Sequence, residues 1–115
     1  MPNTNRPTIT THVLDTSRGE PAAGVAVSLW RLEGTQHTSP QGTGETDRDG
    51  RIADLLDGPL VAGVYRLTFD VGAYFRSRQL DTFFGSITLE VRLKDGHQHI
   101  PLLVSRYGIV SYLGS

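Results

Sequence analysis

Apolar and polar residues alternate with a period of two along much of the chain, which is the pattern of strands that bury one face and leave the other to solvent. Ile9, Thr11 and Val13 alternate with Thr10, His12 and Leu14, so a histidine rides on the face opposite the apolar set. Tyr65, Leu67, Phe69 and Val71 alternate with Arg66, Thr68 and Asp70, and Ile87, Leu89, Val91 and Leu93 with Thr88, Glu90 and Arg92. Near the end, Ile100, Leu102 and Val104 alternate with His99, Pro101, Leu103 and Ser105, again setting a histidine against the core side. The run 25–32 also predicts a strand. Its inward set is open between Val25, Val27 and Leu29 on one reading and Trp30 and Leu32 on the other.

The breaks between these runs carry turn chemistry. Residues 15–21 form one turn region, 34–44 read as a polar loop, Asp49-Gly50 marks a tight turn, and Lys94-Asp95-Gly96 leads into a terminal hairpin. That hairpin turns at Arg106-Tyr107-Gly108 and returns through 109–113. Residues 72–84 contain few breakers and predict one short helix of about two turns. Strands recurring every ten residues or so, with one helix among them, indicate an all-β sandwich.

Length and charge narrow this further. At 115 residues the chain suits one domain over 9–115 behind a loose tail, 1–8, that is polar and contains two prolines. A formal net charge of −1 provides no attraction to nucleic acid or to anionic membranes. With no cysteine, the chain has neither disulfides nor a thiol nucleophile. No run has transmembrane length and the first residues lack a signal-peptide core, so a cytoplasmic location is expected.

The polar residues that chemistry could use are few. A lone histidine on a strand is most often a hydrogen-bonded, half-buried residue, and an arginine after Asp-Gly is ordinarily a surface charge beside Asp47 or Asp49. His37 in the polar loop and His97 beside a turn read as solvent-facing. The run 47–50 resembles a calcium loop only faintly, since no bidentate carboxylate follows at the required spacing. His97 and His99 offer a metal two ligands from one strand face, and His12 as a third gives a weak zinc reading.

Motifs in a fixed order change the weighting. The ending His97-x-His99-x-Pro101-Leu102-Leu103-x-Ser105-x-Tyr107-Gly108, followed by Tyr112-Leu113-Gly114-Ser115, resembles the C-terminus of the 5-hydroxyisourate hydrolases, transthyretin-related enzymes of urate breakdown that close on Tyr-Arg-Gly-Ser. Residues 11–15 with Gly19, Pro21, Ala22 and Gly24 are similar to that family's opening signature. Thr46-Asp47-Arg48-Asp49-Gly50-Arg51 is similar to its Thr-x-x-Asp-Gly-Arg, and residues 63–70 to its Gly-x-Tyr-Arg-Leu-x-Phe-Asp.

The resemblance implies a transthyretin-like sandwich of two four-stranded sheets with one short helix, assembled as a homotetramer with its sites between subunits. It implies hydrolytic opening of the cyclic amide of 5-hydroxyisourate without a cofactor or metal. His12, Arg51 and His99 become the catalytic set, and Tyr112, Leu113 and Ser115 the substrate contacts. Leu113 departs from the family arginine and withholds a second cationic donor from an anionic ring. The alternative is a non-catalytic binding protein of transthyretin type for a small aromatic ligand; retention of the His-Arg-His set and of the Tyr-x-Gly-Ser ending favours the enzyme. A weaker third reading is an interaction module that pairs through its exposed terminal strand.

Overall fold

In a computed structural model of the chain, which describes residues 8–34, 37–56, 58 and 61–115, the strands assemble into two facing sheets. One sheet contains β1 (Ile9–Asp15), β2 (Glu20–Pro21), β5 (Arg51–Ile52), β8 (Gln98–Val104) and β9 (Ile109–Ser111). Its strand order is β2-β1-β8-β9, with β5 also paired to β1. The other contains β3 (Ala26–Glu33), β4 (His37–Glu45), β6 (Gly63–Phe69) and β7 (Ile87–Leu93) in the order β4-β3-β6-β7. The expected pair of four-stranded sheets is therefore a four-stranded and a five-stranded one, because the two-residue strands Glu20–Pro21 and Arg51–Ile52 both pair with β1. The tail expected over 1–8 lies, Thr8 apart, outside the described residues.

The core lies between the sheets where the alternation placed it. Ile9 and Val13 of β1, Ile100, Leu102 and Val104 of β8, and Tyr65, Leu67 and Phe69 of β6 are buried. For the run 25–32, most of which is β3, the structure selects Val25, Val27 and Leu29 as the inward set, while Trp30 is half-buried on the other face and donates its indole N–H to Ser28. Thr11 also points inward, and its hydroxyl is satisfied by the Ile100 carbonyl.

One expectation fails outright. Most of the polar loop expected over 34–44 is strand β4, paired to β3 from Ala26↔Glu45 to Glu33↔His37 with a bulge near Leu29. As an edge strand whose side chains are mostly exposed or half-buried, it carries no apolar alternation to read, and its proline and glycines mimic a loop.

The helix α1 (Val71–Ser77) begins where Asp70 caps it by accepting the Ala73 N–H at 3.1 Å. It buries Val71, Tyr74 and Phe75, spaced as one helical face. The Tyr74 hydroxyl donates to Asp15 at 2.9 Å; this fully buried carboxylate also accepts from the backbone and hydroxyl of Ser17. These bonds tie the helix to the end of β1, the strand from which the candidate site projects. No helix among the described residues is long and apolar enough to cross a membrane.

Candidate active site

The outer face of the five-stranded sheet collects the polar residues that alternation turns away from the core. Beside β1 on one side, residues 47–50 form a turn that delivers Arg51. The Asp47 carboxylate accepts the N–H groups of Asp49 at 2.8 Å and Arg51 at 3.0 Å, the Asp47 N–H donates to the Arg51 carbonyl at 3.0 Å, and the Gly50 N–H donates to the Asp47 carbonyl at 2.9 Å. The Arg51 N–H is the main reason that the Asp47 carboxyl is held below its ordinary range, with further help from Asp49 N–H and the positive charges of Arg51 and His12. Gly50 then holds a φ of +76° and accepts the Val13 N–H at 2.7 Å, which seats β5 against β1 with Arg51 directly beside His12.

Asp47 thus acts on the site through the backbone of Arg51. Asp47→Ala removes the acceptor and is expected to lower kcat/KM by about tenfold, with a smaller loss for Asp47→Asn, which keeps a carbonyl oxygen in place. Steady-state kinetics on the two variants check this; equal losses would assign the effect to charge instead.

On the other side of β1, β8 runs parallel, with Thr10 paired to His99 and His12 to Pro101. Paired residues share a face, so Thr10, His12, Arg51 and His99 all project outward. The Thr10 hydroxyl lies 2.7 Å from His99 Nδ1, and one step earlier the Thr8 hydroxyl lies 2.6 Å from His97 Nδ1. The His99 imidazole has its pKa lowered from 6.5, first by burial and then by the positive charges of His12, His97 and Arg51. It is held neutral near pH 7, ready to accept a proton.

Between these walls lies a cleft of about 470 Å³ lined by Thr10, Asp47, Arg51, His97, His99 and Ser115, among others. His12 flanks the cleft beside Arg51 without lining it, near enough for its charge to bear on both Asp47 and His99. Among the described residues no group of three or more His, Cys, Asp or Glu is arranged to hold a metal ion. A neutral imidazole, a second histidine and a guanidinium around one polar cleft suit proton transfer with water beside a bound anion.

Within one chain, two of the residues expected to contact substrate lie away from this cleft. Tyr112 and Leu113 do not line this cleft but a separate groove of about 410 Å³ between β7 and β9, with Leu89, Val91 and Ile100. For Leu113 the reason is register: Gly114 bridges His99, and Ser111 pairs with Leu102, so Leu113 falls beside Ile100 with its side chain on the face opposite His99. Within one chain, then, the leucine takes no donor from the cleft.

His97, expected to face solvent, is exposed and still lines the cleft, because it lies two residues from His99 on the same face. Asp47 and Thr10 were missed as site residues. The parallel pairing that sets Thr10 against His99 joins segments 89 residues apart and leaves no local signal.

The model of the HIUase/Transthyretin family matches residues 9–114. The chain is 43% identical over 110 residues to the 5-hydroxyisourate hydrolase of Salmonella dublin, an alignment that covers 93% of this chain and 80% of the relative. Its fold is similar to that of Klebsiella pneumoniae 5-hydroxyisourate hydrolase, with a TM-score of 0.84, 38% identity and coverage of 94% of this chain and 98% of that one. It is also similar to sea bream transthyretin solved in complex with thyroxine, with a TM-score of 0.87, 26% identity and coverage of 93% and 94%. With motifs, sandwich topology and these likenesses in agreement over nearly the whole length, the chain belongs to the HIUase/transthyretin family.

Proposed function

We propose that this protein is a 5-hydroxyisourate hydrolase, in which His12, Arg51 and His99 carry the reaction. The observation that supports the assignment best is the register of β1, which takes Arg51 from one neighbouring strand and, through Thr10, His99 from the other and sets them on one face with His12.

In this reading the guanidinium of Arg51 pairs with oxygens of the anionic ring and stabilises the charge that develops on the attacked carbonyl oxygen. The histidine pair positions a water and takes its proton as the new C–O bond forms. The ring C–N bond then breaks, and the same proton passes to the departing nitrogen. Ser115, at the cleft wall, contributes a substrate contact. The chemistry needs no metal or cofactor.

The same proposal includes a cytoplasmic homotetramer with its sites at a subunit interface. Supporting it, Val110 and Tyr112 are each 55% exposed, and the β9 pairing turns Val110 to the same outer face as His99. Sedimentation velocity is expected to give the mass of four chains; a monomer that hydrolyses at full rate would overturn this part.

The function is tested by following the ultraviolet absorbance of 5-hydroxyisourate, made in place from urate with urate oxidase, with and without the protein. Acceleration over the spontaneous decay is expected. Its absence from a confirmed tetramer would overturn the assignment and favour the ligand-binding alternative.

A pH profile provides a second check. The base must be neutral, and the His99 pKa is lowered by burial and by His12, His97 and Arg51 around it. Lowering the pH therefore abolishes kcat/KM only with a midpoint below about 6.5, the ordinary value for histidine. A midpoint above that value would exclude His99 as the base.

A further inference from the structure

The imidazole of His99 is held on two opposite edges by residues that have no evident part in the chemistry. On one edge, Thr10 places its hydroxyl oxygen 2.7 Å from Nδ1. On the other, Gly114 is bound through its N–H to the His99 carbonyl at 2.8 Å, and its α-carbon lies so close that an added Cβ would stand 2.5 Å from Cδ2 and 3.2 Å from Cγ of the ring. Real Cβ atoms do not approach other atoms so closely, and because the backbone bond fixes residue 114 to β8, a side chain there can be admitted only if the ring turns or the strand end detaches. Gly114 is not among the glycines with positive φ, so the need for glycine here is one of space and not of backbone conformation.

We propose that Thr10 and Gly114 are positioning residues that hold His99 in a single orientation and in the Nδ1–H tautomer, with the Nε2 lone pair presented to the cleft. This rests on the hydrolase reading for its consequence, though not for its structural content. Nδ1 donates to the Thr10 oxygen, and Gly114 occupies the Cδ2 side, which leaves Nε2 at the open end of the ring. The cationic Arg51 lines the same cleft, and a positive field there favours a lone pair facing it over an N–H. The hydrogen bond made by one ring nitrogen commonly selects the tautomer of a reacting histidine in this way.

The test uses the full-length assembled protein labelled with ¹⁵N-histidine, with the His99 ring identified in long-range ¹H–¹⁵N spectra by its loss in His99→Gln. The wild type is expected to show the Nδ1–H pattern. Thr10→Val, which keeps the shape and removes the hydroxyl, is expected to shift His99 toward the Nε2–H form that unrestrained histidine favours and to lower kcat by about five- to tenfold with little change in KM. Thr10→Ser is expected to restore the wild-type ring pattern. Gly114→Ala is expected to displace the His99 ring signals while those of His37 stay in place.

A wild-type ring in the Nε2–H form, or one unchanged in Thr10→Val, overturns the tautomer assignment. Unchanged ring signals in a folded Gly114→Ala overturn the steric half, and if that variant does not fold, the two Thr10 variants still decide. The spectra do not depend on turnover. A held ring without hydrolysis therefore counts against the enzyme reading alone, and hydrolysis with an unheld ring counts against the holder alone.

Discussion

His99→Ala is expected to lower kcat/KM for 5-hydroxyisourate by about 100- to 10,000-fold, the range typical for loss of a positioned acid–base group. The fold should survive, because the ring lies half-buried on the outer face of the sheet and contributes nothing to the apolar core between the sheets. Backbone pairing of residue 99 with Thr10 and Gly114 does not need the imidazole. Circular dichroism and sedimentation should therefore match the wild type while the absorbance assay shows the loss. His12→Ala is expected to fall in the same range, and the double variant to lose far less than the product of the two, since in the proposed mechanism the histidines act on one water. A His99→Ala enzyme within about threefold of wild type would remove this residue from the reaction.

The second large effect is expected at a residue without a side chain. Gly50→Ala should destabilise the protein by about 2–4 kcal/mol and lower kcat/KM by about a hundredfold. Gly50 has a φ of +76°, where an alanine is strained, and its added Cβ would collide with the Val13 carbonyl oxygen and stand 3.1 Å from the Pro21 Cβ and 3.2 Å from the Ala22 nitrogen. None of these is a flexible side-chain end. The turn must lift away from β1, which breaks the Val13 N–H bond to the Gly50 carbonyl and carries Arg51 out of register with His12.

Gly19→Ala is the control. Its φ is +68° and nothing lies within 4 Å of the added carbon, so only the conformational cost of about 1–2 kcal/mol should appear, with kinetics little changed. Denaturant titrations at fixed protomer concentration measure both variants, since the proposed assembly would couple to stability. Equal losses for Gly50 and Gly19 would show that the approach to β1 carries no weight.

The interval between what can be read locally and what cannot is visible in particular residues. The inward faces of β1, β6 and β8 follow directly from alternation, since burying one face of a strand requires apolar residues at every second position. Val25, Val27 and Leu29 were undecided until the sheet that β3 joins was known, because an apolar run of that kind supplies either face. Strand β4 escaped because an exposed edge needs no apolar face at all.

For the site, the motifs named His12, Arg51 and His99, but neither their adjacency nor the absence of Leu113 from the cleft could be read from them. Adjacency depends on the pairing of β1 with β8, between residues far apart in sequence. The placement of Leu113 depends on a one-residue register, since a shift of one position exchanges the two faces of a strand.

Sequence alone determined which residues are apolar at strand spacing, where the chain turns, and that two histidines and one arginine stand on solvent-side positions, because each of these is a local property of side-chain chemistry and backbone preference. Tertiary structure alone decided that Arg51 stands beside His12, that Thr10 and Gly114 close on His99, and that Leu113 faces a different groove. Each of these is a contact between strands, and strand pairing is set by the burial of the whole core rather than by any segment that takes part in it.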